Sequence, residues 1–123
     1  MRKLKILIVD DIFTNRLLLK ELIKTIGHDS VQAENGKVAI ELLKKENFDL
    51  VLMDIEMPVM NGIDTTEYIR TKLPPPVNGI VIVALTAHNP SIFFEDFSEA
   101  GFNELITKPY SLEKIVELIN NLI

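Results

Sequence analysis

The chain has 123 residues, 47% of them apolar and 25% charged, with a net charge of −5 and no cysteine. That length and composition suit one globular domain, residues 1–123, and exclude a disordered chain, a disulfide framework and a thiolate metal site. The acidic balance, with Lys and Arg scattered singly or in pairs, argues against direct nucleic-acid binding, and no apolar run approaches the roughly 20 residues of a membrane span.

The basic N-terminus, Met1 to Lys5, leads into the apolar run Ile6–Val9 and then into Asp10 and Asp11, with no small-residue cleavage site. No signal peptide is expected, and a cytoplasmic setting is. Ile6–Val9, Leu50–Met53 and Ile80–Leu85 are continuous apolar runs of the kind that form strands buried on both faces. Val31–Ala33 and Leu105–Ile106 are shorter strand candidates, placed nearer the sheet edges. Between the strands lie helical patterns. Leu19, Leu22, Ile23 and Ile26 share one face of the first, and Gly27 suits the left-handed residue that ends it. Val38, Ala39, Leu42 and Leu43 stripe the second. The third runs from Gly62 to Lys72 and stops before Pro74-Pro75-Pro76. The fourth starts at Asn89-Pro90, with Phe93, Phe97 and Ala100 inward. Ser111 caps the fifth, whose predicted buried stripe is Leu112, Ile115, Val116, Ile119 and Ile123.

Strand and helix thus alternate five times, which predicts an α/β domain with a parallel sheet covered on both faces and its chemistry beyond the carboxyl ends of the strands. Asp10 and Asp11 fall at the first strand's end and Asp54 at the third's, while Thr86 follows the fourth strand and Lys108 the fifth. Taken singly, each has a plain explanation: a turn-forming Asp, a strand-end Thr, a solvated Lys. Together they point elsewhere. Clustered carboxylates hold a cation or keep a proton, and an all-oxygen set without His or Cys selects a hard ion such as Mg²⁺. Mg²⁺ beside a free carboxylate suits phosphoryl transfer, with Lys108 and the Thr86 hydroxyl available to further phosphoryl oxygens.

Val9-Asp10-Asp11, the run Met53 to Gly62 (with Met57-Pro58 and Asn61-Gly62), Leu85-Thr86-Ala87 and Thr107-Lys108-Pro109 together resemble the receiver domains of two-component response regulators, and the resemblance covers essentially the whole chain. It implies a flavodoxin-like (βα)5 fold with a five-stranded parallel sheet of order 2-1-3-4-5, and phosphorylation by a histidine kinase or histidine phosphotransfer protein. By position it makes Asp54 the phosphoacceptor, Asp11 a direct Mg²⁺ ligand and Asp10 a ligand through water. Glu56 would lend its backbone carbonyl to the metal. Thr86 would be the switch hydroxyl and Lys108 the phosphate-pairing lysine. Glu56 and His88 stand where the family tunes the phosphoryl lifetime. The usual switch aromatic, three residues before the lysine, is Leu105 here, and Tyr110 follows Pro109. The implied output face is the fourth helix, fifth strand and fifth helix, where Ile92 and Phe94 read either as partner contacts or as core.

Such a domain is a signalling switch that catalyses its own phosphorylation and dephosphorylation rather than an enzyme with a turned-over substrate. Its output domain is attached or separate. The same pattern fits a receiver module of a hybrid histidine kinase. An aspartate-nucleophile phosphatase of the haloacid dehalogenase type is a remoter reading, since Asp54-Ile55-Glu56 imitates its acid pair but no cap domain accompanies it. A flavin carrier would need a phosphate loop where Asp11 stands, and a receiver degenerated to docking would not keep the full residue set.

Overall fold

A computed structural model describes residues 3–87, 99–108 and 111–122. His88, Asn89, Pro90, Ile92, Phe93, Phe94, Phe97, Pro109, Tyr110 and Ile123, named above, lie outside the described residues. Strands β1 (Lys5–Val9), β2 (Asp29–Ala33), β3 (Leu50–Asp54), β4 (Val81–Thr86) and β5 (Glu104–Thr107) form one parallel sheet in the order β2-β1-β3-β4-β5. This is the expected flavodoxin-like order, and the two shorter strand candidates are indeed its edges.

Alternation along the strands sorts the core into two layers. Leu7, Val9, Val51, Met53 and Ile82 face helices α2 (Gly36–Lys45) and α3 (Gly62–Lys72), packing with Ala39, Ile40, Leu43 and Ile69. Ile6, Ile8, Leu50, Leu52, Val83, Leu85 and Ile106 face the other way, onto Leu19 and Ile23 of α1 (Phe13–Thr25) and onto Ile115 and Ile119 of the C-terminal helix (Leu112–Asn121). Each such aliphatic side chain taken from water contributes about 1.5–3 kcal/mol. The sheet is therefore fixed on both faces, and its carboxyl edge is left for chemistry.

Helix ends follow from the sequence. Gly27 lies just past α1 at φ 91°, a left-handed conformation that glycine adopts without a Cβ clash. Asn35, Asn61 and Ser111 cap α2, α3 and the C-terminal helix, each side-chain oxygen accepting a backbone N–H three residues on, from Val38, Asp64 and Lys114. Two positions differ from expectation. Leu112 is 41% exposed rather than part of the buried stripe. It occupies the first helical position, a turn outside Ile115, and Leu118 joins the packing instead. Thr86 is likewise the last residue of β4 rather than the one after it.

At the amino end of the sheet Arg70 of α3 holds three segments together. Its guanidinium donates to the carbonyls of Asn78 (2.8 Å), Ile80 (2.7 Å) and Gly101 (2.8 and 3.0 Å) and to Asn103 Oδ1 (2.8 Å). Asn103 Oδ1 also accepts the Ile82 N–H at 2.8 Å. These bonds anchor the loops that enter β4 and β5, the two strands whose far ends carry Thr86 and Lys108.

Candidate functional site

The parallel register brings the predicted residues to one edge. Val9 pairs with Met53 and Asp54 with Leu85, so Asp10, Asp54 and Thr86 stand side by side at the carboxyl ends of β1, β3 and β4. Thr86 pairs with Thr107, and the Lys108 N–H donates to the Thr86 carbonyl, joining the ends of β4 and β5. Asp10 is 0% exposed, Asp54 2% and Thr86 1%, whereas Asp11 is exposed at the rim. Carboxylate oxygens of Asp10, Asp11 and Asp54 all lie within 4.8 Å of one another. Lys108 Nζ reaches across to them, 3.0 Å from Asp54 Oδ1 and 4.0 Å from Asp10 Oδ2.

Two buried carboxylates served by one lysine set the electrostatics. Burial pushes the Asp54 carboxyl up from 3.8 to about 6, and the Asp10 charge pushes the same way. The hydrogen bond and charge of Lys108, with a backbone hydrogen bond from Glu56, oppose the rise without cancelling it. Asp10 is already engaged: its Oδ1 accepts the Ile12 N–H at 2.8 Å and its Oδ2 accepts from Asn15 Nδ2 at 3.3 Å. The three acids therefore differ in kind. Asp54 is buried and held through one oxygen by Lys108, Asp10 is buried and oriented by the following turn, and Asp11 is open to solvent.

This donor set fits a divalent hard cation. All the groups offer oxygen, their separation is within reach of a shared ion and its waters, and a dication would stabilise the Asp54 carboxylate that burial and, to a lesser degree, the Asp10 charge disfavour.

The loop after β3 shapes the floor. Ile55 N–H continues the ladder to the Leu85 carbonyl, and the Gly62 N–H returns to the Ile55 carbonyl at 2.9 Å. A Cβ on Gly62 would lie 2.5 Å from the Asp54 carbonyl oxygen and 2.8 Å from Ile55 Cα, both backbone atoms that cannot turn aside. The Gly62→Ala variant should lose about 1–3 kcal/mol in urea unfolding, as overpacking does. Wild-type stability in that variant would contradict the close approach. Val59, in the same loop, has φ 72°, and the Met60 N–H closes a tight turn onto the Pro58 carbonyl. A β-branched residue in that region is strained, and Val59 is also 77% exposed.

Leu105 pairs in register with Ala84 and packs, as Ile63 and Phe102 do, against the buried cluster of Ile55 and Ala84. The position of the usual switch aromatic is thus filled by a half-buried aliphatic side chain. Sequence reasoning did not single out the exposed apolar residues that follow Asp11 in the chain: Ile12, Phe13, Leu17 and Leu18 are all exposed, Phe13 at 61%. The signal was present, because these four are the large apolar residues left over once the buried stripe of α1 is assigned.

Comparison with known proteins agrees with this geometry. The family model described as the response regulator receiver domain matches residues 6–120. The chain is 39% identical over 122 residues to Two-component response regulator ARR22 of Arabidopsis thaliana, an alignment covering 97% of this chain and 83% of that one. It is 35% identical over 116 residues to Sensor protein GacS of Pseudomonas syringae pv. syringae, covering 94% of this chain but only 13% of GacS. Among solved structures, response regulator protein TrrA from Thermotoga maritima, in complex with Mg(2+)-BeF, superposes with a TM-score of 0.84 at 34% identity, covering 99% of this chain and 100% of that one. Fold, strand-end acids and sequence agree: the chain belongs to the response regulator receiver domain family.

Proposed function

We propose that this receiver domain takes a phosphoryl group from a phosphohistidine donor onto Asp54, with Mg²⁺ bound by Asp11, Asp54 and the Glu56 backbone carbonyl and, through water, by Asp10. The observation that carries the reading is the buried Asp54 carboxylate, held by Lys108 at 3.0 Å and crowded by two further acids. Asp54 attacks the phosphorus; the new O–P bond forms as the N–P bond breaks, and the leaving imidazole keeps the electron pair and takes up a proton. Lys108, already at Asp54, pairs with a phosphoryl oxygen, and Thr86 donates its hydroxyl to another. Mg²⁺ supplies neutralising charge for the phosphoryl oxygens.

The partner is a histidine kinase or histidine phosphotransfer protein. The exposed apolar residues Ile12, Phe13, Leu17 and Leu18, which follow Asp11 in the chain, support an apolar partner surface on the phosphodonor. The resemblance to both a short regulator and a large sensor kinase supports two hosts for the same chemistry, an independent regulator and a hybrid kinase module. Its role is that of a cytoplasmic switch rather than of a turnover enzyme, with output carried by an attached or separate domain. No helix among the described residues is long and apolar enough to cross a membrane.

Beryllofluoride, a phosphoryl mimic, tests both chemistry and switching. With Mg²⁺ it should shift amide resonances around Asp54 and, most widely, across the segment from 86 to 110, because new charge-assisted bonds draw Thr86 and Lys108 inward. With Leu105 in place of a ring, the change rests on loop and helix displacement. Shifts confined to the surroundings of Asp54 would refute the switching half of the proposal.

A further inference from the structure

Asp11 is the most exposed of the three acids, yet a metal ligand must be held still, so what holds it lies in its neighbours. Helix α1 begins without a side-chain cap: Ile12 occupies the N-cap position. The turn between β1 and α1 is fixed instead by two contacts on either side of Asp11. On the carboxyl side, the Ile12 N–H, part of the Asp11–Ile12 peptide, is held by Asp10 Oδ1 at 2.8 Å. On the amino side, the Asp10 carbonyl, part of the Asp10–Asp11 peptide, accepts from Arg16 Nη1 at 2.7 Å. Arg16 stands in the first turn of α1, and a helical side chain there leans back toward the N-terminus, which carries the guanidinium to this carbonyl. Its Nε donates to Gln32 Oε1 of β2 at 3.1 Å, and the guanidinium lies 5.7 Å from the centre of the Phe13 ring.

We infer that Arg16 is a positioning residue for the metal site: by pinning the Asp10–Asp11 peptide to β2 through Gln32, it fixes the direction in which Asp11 presents its carboxylate. This rests on the metal-assisted phosphoacceptor reading above and adds a residue to it. Both peptide planes flanking Asp11 are then held from outside, and the exposed side chain moves only about its own rotatable bonds. An arginine is needed because one planar fork reaches the Asp10 carbonyl and Gln32 together, while a lysine presents a single nitrogen.

The test is a calorimetric Mg²⁺ titration of the unphosphorylated chain at pH 7.5, paired with the Mg²⁺ concentration giving half-maximal phosphorylation by phosphoramidate. Arg16→Met should weaken Mg²⁺ binding about tenfold, the usual scale for losing a partner that orients a ligand, and shift the half-maximal Mg²⁺ concentration equally. The rate at saturating Mg²⁺ should fall far less. Gln32→Ala, removing one arm, should shift affinity in the same direction by less, and Arg16→Lys should remain weakened. Lys20→Met, which removes another α1 cation, should leave Mg²⁺ affinity at the wild-type value. Unchanged affinity in Arg16→Met overturns the inference, whatever happens to its melting temperature. Full recovery in Arg16→Lys, or an equal loss in Lys20→Met, overturns it too, since the two-armed contact to the Asp10 carbonyl and Gln32 would then not be what holds the site. A wild-type chain that binds Mg²⁺ but takes no phosphoryl group would refute the phosphoacceptor reading and leave the calorimetric comparison to decide the role of Arg16.

Discussion

Asp54→Asn should take up no phosphoryl group from phosphoramidate or acetyl phosphate under conditions where the wild type, with Mg²⁺, acquires one that hydroxylamine removes. The change is nearly isosteric. The amide oxygen can still accept from Lys108, now 3.0 Å from Asp54 Oδ1, and the strand-end packing has no reason to move. What disappears is the nucleophile: a neutral carboxamide does not attack phosphorus at a useful rate, and acyl phosphate chemistry needs the carboxylate. The same substitution should raise the melting temperature without metal, because it removes a charge that burial and Asp10 disfavour strongly enough to lift its pKa to about 6. Mass spectrometry of the treated chain and a thermal melt without Mg²⁺ read the two effects separately. Undiminished phosphorylation of the Asn variant would move the acceptor to another residue.

The parts of this site legible in sequence were those encoded by local periodicity and by strand order. Continuous apolar runs marked β1, β3 and β4 because a strand covered on both faces has no polar side to show. Residues directly after such runs in a parallel sheet must gather at one edge, which is how Asp10, Asp54 and Thr86 come together although they are far apart in the chain. Gly62 to Lys72 was readable as a helix from its proline stop, and the structure gives those bounds. The need for glycine at position 62 was not readable. It comes from the distance to the Asp54 carbonyl, which no local pattern contains.

What stayed hidden was long-range and polar. Arg16 and Arg70 look like ordinary helix-surface cations, yet each spends its donors on carbonyls and amide oxygens that only the fold brings near. Val59 is a second case. No sequence pattern marks a β-branched residue for a left-handed conformation, yet Val59 has positive φ while Asn61 serves as a cap. Leu112 failed for a simpler reason: helical periodicity gives a face but not how far along the helix that face remains over the sheet.

Mg²⁺ should stabilise the chain in a manner that depends on both Asp11 and pH. At a hundredfold excess over Kd, mass action adds about 2.7 kcal/mol, roughly 10 °C in melting temperature for a domain of this size. Asp11→Ala should weaken binding by about tenfold to a hundredfold and slow phosphorylation correspondingly, while relief of repulsion among the three acids raises metal-free stability. The pH dependence follows from Asp54. Its pKa is about 6 in the fold against 3.8 ordinarily, so the folded state holds this proton more tightly than the unfolded chain does. The stability this gives is fully present below about pH 4 and is lost as pH rises through 6. A metal ion that needs the carboxylate must displace the same proton, so apparent affinity should fall by about tenfold per pH unit below 6 and level off above it. Thermal melts with and without Mg²⁺ should therefore diverge about twice as far at pH 7.5 as at pH 5. Asp54→Asn should flatten that dependence, since the proton in competition is gone. An equal Mg²⁺ shift at both pH values in the wild type would remove Asp54 from the ligand set, and equal affinity in Asp11→Ala would remove Asp11.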